Sequence, residues 1–219
     1  GDSVQHQAWI SRPESDGRYP ALILLHAVMG PNEAFRNVCV RFAEHGMVAV
    51  AFNWMTNERD PSDATVIDGV RRCIEHLVNQ PYVDAEHVML GGYCGGGSHA
   101  LQALAQLPGI HAGVIFHAGM VRELSDLHPK HPLDLAAEIA SPLLMLHGAA
   151  DHISPIENVY EFARRRNEAG KGFELKVYSG TDHAFTLIGS PYFAADNAED
   201  AFQEAVSFVH RMCAASADG

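Results

Sequence analysis

A chain of 219 residues with 47% apolar side chains holds enough material for one packed α/β domain and is too apolar to stay disordered. Its 27 acidic against 15 basic residues give a formal charge of -12, which repels polyanions and argues against nucleic acid as a partner. No apolar run approaches the ~20 residues that cross a bilayer, and the four cysteines show neither metal-ligand spacing nor a small disulfide framework.

The chain begins with Gly1 rather than Met, and its polar opening, GDSVQHQAW, resembles neither a signal nor a transit peptide. A soluble, cytoplasmic protein working as a monomer or homodimer, away from membranes, is the expectation. Runs rich in Val, Ile and Leu alternate with amphipathic segments, the pattern of a mostly parallel sheet with helices on both faces. QHQAWISRP reads as an antiparallel edge strand and YPALILLHA (19–27) as a buried strand. A helix over 32–45 carries the stripe Phe35, Val38, Cys39 and Phe42, and Gly46 ends it before a strand over 47–54. Asp60 and Pro61 offer a cap and first position for a helix to about Asn79, with Val66, Val70, Cys73 and Leu77 on one face.

A strand over 87–93 then enters a glycine-rich turn, followed by a helix to about Leu107. Beyond it come a strand over 112–119, an irregular stretch around HPKHP, and a strand over 142–151. The next helix has Ile156, Val159, Tyr160 and Ala163 on one face and closes at Gly170. A strand over 173–180 and a helix begun by Asp196, with Glu199 three residues on and Cys213 beside Val206 and Val209, complete one domain over 1–219. Cys39, Cys73 and Cys213 thus belong to apolar stripes; Cys94 alone stands at a turn. The 14 histidines form no HxxxH or His/Cys cluster, so no metal is expected.

The turn is VMLGGYCGGGSHALQAL (88–104). Strand, then Gly92-Tyr93-Cys94-Gly95-Gly96, then helix is the nucleophile-elbow pattern, with cysteine where serine is commoner. Small residues two places either side let strand and helix approach while the nucleophile is held at the tip. The helix beginning there offers unpaired N–H groups and the positive end of a dipole, which favour a thiolate and an oxyanion. A phosphate-binding loop is the rival reading, but no G-x-x-x-x-G-K-[ST] and no basic anchor follow. A thiol nucleophile needs a base, and the base an orienting carboxylate. Asp151 after one late strand and His183 after the next stand in the order nucleophile, acid, histidine. Asp182 is a neighbouring acid whose side chain should point away. The N–H of Gly95 and the N–H of Val28, in the loop LLHAVMGP, are the candidate oxyanion donors, with Gly30 permitting the bend and His26 as a structural residue of that loop. Trp54, Tyr93, Phe185 and Tyr192 are candidate pocket walls.

YPALILLHAVMG, GGYCGGG, HGAADHISP and SGTDHAF, in order over nearly the whole chain, resemble the dienelactone hydrolase family of the α/β-hydrolase fold. The resemblance implies Cys94 as nucleophile, His183 as base, Asp151 as orienter, and Val28 and Gly95 as oxyanion-binding amides, with no cofactor. It implies a hydrolase of small carboxylic esters or lactones. An acyltransferase, a hydrolase of activated phosphate esters and a non-catalytic binding module on the same fold are the alternatives. The sequence departs from the family's best-known members in two places. Ala27 stands where they carry a glutamate that takes part in switching the thiol on, so Cys94 and His183 are expected to share a proton directly. After His183, HAFTLIGS has no arginine for a substrate carboxylate, Leu187 lying near that place. Arg59 and Arg122 could supply charge from other loops but read more simply as structural. A neutral ester is therefore expected.

Overall fold

The computed structural model describes residues 5–56 and 59–215. Seven strands form one sheet: β1 (Ala8–Ser11), β2 (Tyr19–Leu25), β3 (Val48–Phe52), β4 (Val83–Tyr93), β5 (Gly113–Phe116), β6 (Leu143–Gly148) and β7 (Phe173–Tyr178). Their order across the sheet is β1-β3-β2-β4-β5-β6-β7. β1 runs antiparallel to β3, as the edge-strand reading expects, and every other pair is parallel. The five helices are α1 (Glu33–Glu44), α2 (Asp63–Leu77), α3 (Gly95–Gln106), α4 (Ile156–Glu168) and α5 (Ala195–Ala215).

Parallel strands covered on both sides must be apolar on both sides, and alternate residues of one strand feed opposite faces. Ile23, Val50, Leu90 and Ile115 face a core closed by Val66 and Val70 of α2, Leu101 of α3, and Val159 and Phe162 of α4. Leu22, Leu24, Ala49, Met89 and Val114 face the other core, closed by Phe35 and Phe42 of α1 and Phe202 and Phe208 of α5. This is the α/β-hydrolase architecture. It brings the carboxyl ends of β2, β4, β6 and β7 to one edge of the sheet, where short loops carry the residues that follow.

Three local expectations need correcting. α2 is capped by Ser62, whose hydroxyl accepts from the Thr65 amide, rather than by Asp60, whose carboxylate is engaged by His128. α4 buries Val159, Phe162 and Arg166, while Tyr160 lies outside at 53% exposure. Arg166 wins that inward place because its guanidinium donates to the carbonyls of Ala136, Ile139, Ser141 and Gly172, tying the preceding loop to the helix. α5 starts at Ala195, with Asp196 inside the first turn instead of capping it. An acidic side chain there still meets the positive end of the helix dipole.

Candidate active site

Cys94 lies between the end of β4 and the start of α3, with φ 53° and ψ -120°. A side chain is strained in that region, and its neighbours hold it there. Its N–H donates to the Phe116 carbonyl of β5, and its carbonyl accepts from the Ser98 amide, both at 3.1 Å. The flanking glycines are steric requirements. A Cβ on Gly92 would lie 2.4 Å from the Gly96 carbonyl oxygen, and one on Gly96 would lie 2.3 Å from that of His26 and 2.4 Å from that of Leu25. Strand and helix therefore touch backbone to backbone, and the cysteine has nowhere to sit but the tip.

Sγ of Cys94 is 3.0 Å from Nε2 of His183, and Nδ1 of that ring is 2.8 Å from Oδ2 of Asp151. The structure thus brings together three side chains drawn from loops 57 and 32 positions apart in sequence. Asp151 is buried, and its other oxygen accepts from the amides of Ile153 (2.9 Å) and Ser154 (2.7 Å). Burial pushes its carboxyl upward, but the hydrogen bonds from His183 and the Ser154 amide outweigh it, so its pKa falls below the ordinary value. Burial likewise opposes charge on His183. Its bonds to Asp151 and Cys94 and the charges of both partners prevail, raising the imidazole to about 9. At neutral pH the ring carries a proton beside the sulfur. Asp182 turns away, its Oδ1 accepting from the ring and amide of His152 and from the amide of His183.

Two further histidines enclose this relay. His117, just past β5, packs edge-on to the His183 ring at 5.3 Å, with Nε2 2.7 Å from the Thr186 hydroxyl. His147, on β6, gives its Nε2 proton to the Ser154 carbonyl at 2.8 Å and stands 3.5 Å from Asp151. Neither was singled out in the sequence, although both occupy strand ends at the edge that carries the other site residues. Among the described residues, the non-glycine residues with positive φ are Cys94, His117 and Ala184, which follows His183. Backbone strain is concentrated around this one rim.

Burial lowers His117 to about 3 and also lowers His147 and His26 from 6.5. Unfolding frees these rings to bind protons the native state refuses, so their contribution to stability is complete above about pH 6.5 and is lost as pH falls below it. His183 has the opposite sign. Its contribution is complete below 6.5 and is lost as pH rises through about 9. Thermal unfolding followed from pH 4 to 10 is accordingly expected to give a maximum Tm near neutral pH, and His183→Gln should flatten the alkaline side only. A Tm that keeps rising toward pH 10 in the parent protein would contradict this assignment.

The loop after β2 faces the start of α3. The Gly30 amide donates to the Ala27 carbonyl at 3.0 Å, with Gly30 at φ 85°, and a Cβ on Gly95 would lie 3.1 Å from Cγ1 of Val28. Neither the Val28 nor the Gly95 amide donates to another group among the described residues. His26 braces this loop: Nδ1 meets the Ala27 carbonyl at 2.6 Å and Nε2 meets the Asn53 side chain at 2.8 Å. Ala27 is buried in an apolar enclosure with Phe35, Tyr93 and Leu187.

Beside the two amides opens a cavity of ≈ 380 Å³, lined by Val28, Trp54, Gly95, His99 and Arg122 among others. Of the four aromatic candidates, Trp54 belongs to this wall, fixed by its Nε1–H to the His26 carbonyl at 2.6 Å. Tyr93 does not, because its side chain leaves the strand on the opposite face, where it stacks on Phe116 and borders a separate cavity of ≈ 250 Å³. Phe185 is a core ring, wholly buried against His117 and Tyr178. Tyr192 is 44% exposed, against His152. Arg122 is held by Asp63 through both terminal nitrogens, 2.9 Å on one side and closer on the other, and Arg59 is exposed. No cluster of side chains suited to a metal ion occurs among the described residues, and no described helix is long and apolar enough to cross a membrane.

The chain is similar to known proteins over nearly its whole length. An assigned carboxymethylenebutenolidase of Salmonella typhimurium is 30% identical over 213 residues, covering 90% of this chain and 79% of that protein. An assigned 2-oxo-3-(5-oxofuran-2-ylidene)propanoate lactonase of a Bradyrhizobium species is 29% identical over 194 residues, covering 81% and 78%. The crystal structure of an assigned dienelactone hydrolase from Klebsiella pneumoniae superposes with a TM-score of 0.84 over 94% of this chain and 99% of that one, at 24% identity. The model of the dienelactone hydrolase family matches residues 6–213. With that match extending from β1 to the last turns of α5, the chain belongs to the dienelactone hydrolase family, as an ester- or lactone-cleaving hydrolase of the α/β-hydrolase fold.

Proposed function

We propose that the protein hydrolyses neutral carboxylic esters or lactones through a thioester on Cys94. The observation that carries this reading is the unbroken relay from sulfur through imidazole to carboxylate, at 3.0 and 2.8 Å, on the edge of the sheet where the Val28 and Gly95 amides are also free. Sulfur attacks the carbonyl carbon, a C–S bond forms, and the π pair moves to oxygen, which the two amides receive. A preorganised donor of this kind contributes ~3 kcal/mol to the barrier reduction. The carbonyl re-forms as the C–O bond to the alcohol breaks, and Nε2 of His183 gives its proton to the departing alkoxide. Water then attacks the thioester and yields its proton to Nε2. The C–S bond breaks, the acid leaves, and the thiolate and imidazolium are restored.

The neutral character of the substrate is inferred from charge. Arg122, at the cavity wall, is neutralised by Asp63, and Asp60 and Glu123 add carboxylates nearby. A free anionic substituent would meet repulsion there. Acid quench during the first turnovers of p-nitrophenyl butyrate, followed by peptide mass spectrometry, is expected to find one butyryl group on the peptide that carries Cys94. Prior alkylation with iodoacetamide should remove both the adduct and turnover. An unlabelled Cys94, together with activity that survives alkylation, would sink the mechanism.

A further inference from the structure

The cavity beside the Val28 and Gly95 amides holds a carboxylate-oriented imidazole that the hydrolytic relay does not use. His99 lies on α3, five residues after Cys94, and is 5% exposed. It continues a column of rings. His26 stacks on Trp54 at 5.3 Å, His99 tilts against Trp54 at 4.6 Å, and His128 tilts against His99 at 5.8 Å. Packing on both sides leaves the His99 ring little freedom to turn.

Its orientation follows from Asp63, a buried carboxylate at the start of α2. Oδ1 of Asp63 gathers Nη1 of Arg122 at 2.9 Å, Nδ1 of His128 at 3.1 Å and Nδ1 of His99 at 3.3 Å. Burial would push this carboxyl upward, but these nitrogens, His99 first, hold it down at about 2. The His99 contact is too oblique for a full hydrogen bond. A carboxylate nevertheless offers only lone pairs, so the nitrogen facing it is the one that carries the proton. In the neutral ring Nε2 is then an acceptor. It has no partner among the described residues, and because the Nδ1 edge is turned into Asp63, the Nε2 edge is the one presented to the cavity. An acceptor on a buried ring, set in the wall beside the Val28 and Gly95 amides, is placed to read a donor on whatever fills that space.

The charge balance of the wall narrows the donor. The Arg122 guanidinium is consumed by Asp63 and by the Lys130 carbonyl, at 3.0 Å from Nε and 2.8 Å from Nη2. Asp60, engaged by Nε2 of His128 at 3.1 Å, and Glu123 stand at the same wall. With the guanidinium of this wall already engaged, an anion is disfavoured, and a hydroxyl is the neutral donor that a small ester or lactone can carry.

We propose that His99, positioned by Asp63, is a specificity-determining residue whose Nε2 accepts a hydrogen bond from a hydroxyl on the substrate, making the preferred ester or lactone a hydroxylated one. The inference rests on the proposed hydrolysis at Cys94, and its test separates the two. Specificity constants are measured for p-nitrophenyl butyrate, 3-hydroxybutyrate and 3-methoxybutyrate, and for ethyl, 2-hydroxyethyl and 2-methoxyethyl butyrate, so that both sides of the ester are sampled. The hydroxylated member of one series is expected to exceed its plain and methoxy counterparts by about tenfold. His99→Phe, which keeps a ring against Trp54, and His99→Leu should each bring that ratio close to one.

Equal constants within both series, or a methoxy substrate as good as the hydroxylated one, would overturn the proposal with no variant needed. A ratio unchanged in either folded variant would overturn it too. Failure of the hydrolytic reading shows itself differently, as turnover that survives alkylation of Cys94 whatever the ratio.

Discussion

Replacing Cys94 with alanine is expected to lower kcat/KM for p-nitrophenyl butyrate by about 10⁴-fold while leaving the fold intact. The size follows from what remains. The amides of Val28 and Gly95 and the cavity still bind the ester, but no atom is left at 3.0 Å from Nε2 to form the acyl bond. The fold survives because the elbow is held by its backbone, through the Cys94 N–H to Phe116 and the carbonyl to Ser98, and an alanine keeps both bonds. His183 reports the change independently. Its bond to Cys94 and the sulfur's charge are among the causes that raise it to about 9, so its NMR titration should move downward in the variant. Retention of more than a tenth of the activity would mean that another group does the chemistry.

Asp151→Asn should cost nearly as much, about 10³- to 10⁴-fold in kcat, for a reason that lies in proton placement rather than packing. The carboxylate accepts on both oxygens, two amides on one and Nδ1–H of His183 on the other. Asparagine has one oxygen. If it stays with the Ile153 and Ser154 amides, its NH₂ faces Nδ1, the ring must move its proton to Nε2, and Nε2 can no longer take one from sulfur or water. Sign and pH window follow from the same change. With Asp151 gone, burial of His183 loses its main opponent, so the imidazole falls from about 9 and the alkaline limb of the rate profile shifts to lower pH. A variant within tenfold of the parent, with an unmoved profile, would show that Asp151 only shapes its loop.

The elbow was legible because its glycine spacing is local, although the clash behind Gly96 is with Leu25 and His26 of another strand end. Gly92 and Gly96 stand two residues either side of Cys94, and the clash a Cβ would make involves backbone a few residues away or on the adjoining strand end. The order of Asp151 and His183 was legible because strand ends are readable from apolar runs. The cap of α2 was misread for a non-local reason. Asp60 and Ser62 are both good caps, and the choice fell to Ser62 because the Asp60 carboxylate pairs with His128, 68 residues on. Among the pocket aromatics, Tyr93 and Phe185 were misread on the same ground. Phe185 and Trp54 look alike in composition, and only packing puts one in the core and the other beside the cavity.

The amino-acid sequence by itself determined the fold class, the sharp turn at the thiol and the three residues that meet there, since strand periodicity and steric need at a turn act over a few residues. The tertiary structure alone decided which face of the sheet each ring takes, where the backbone is strained at His117 and Ala184, and that His99, Arg122 and His128 share the Asp63 carboxylate. Those outcomes depend on contacts between segments dozens of residues apart, where each side chain has several adequate local states and the neighbour brought in by the fold selects among them.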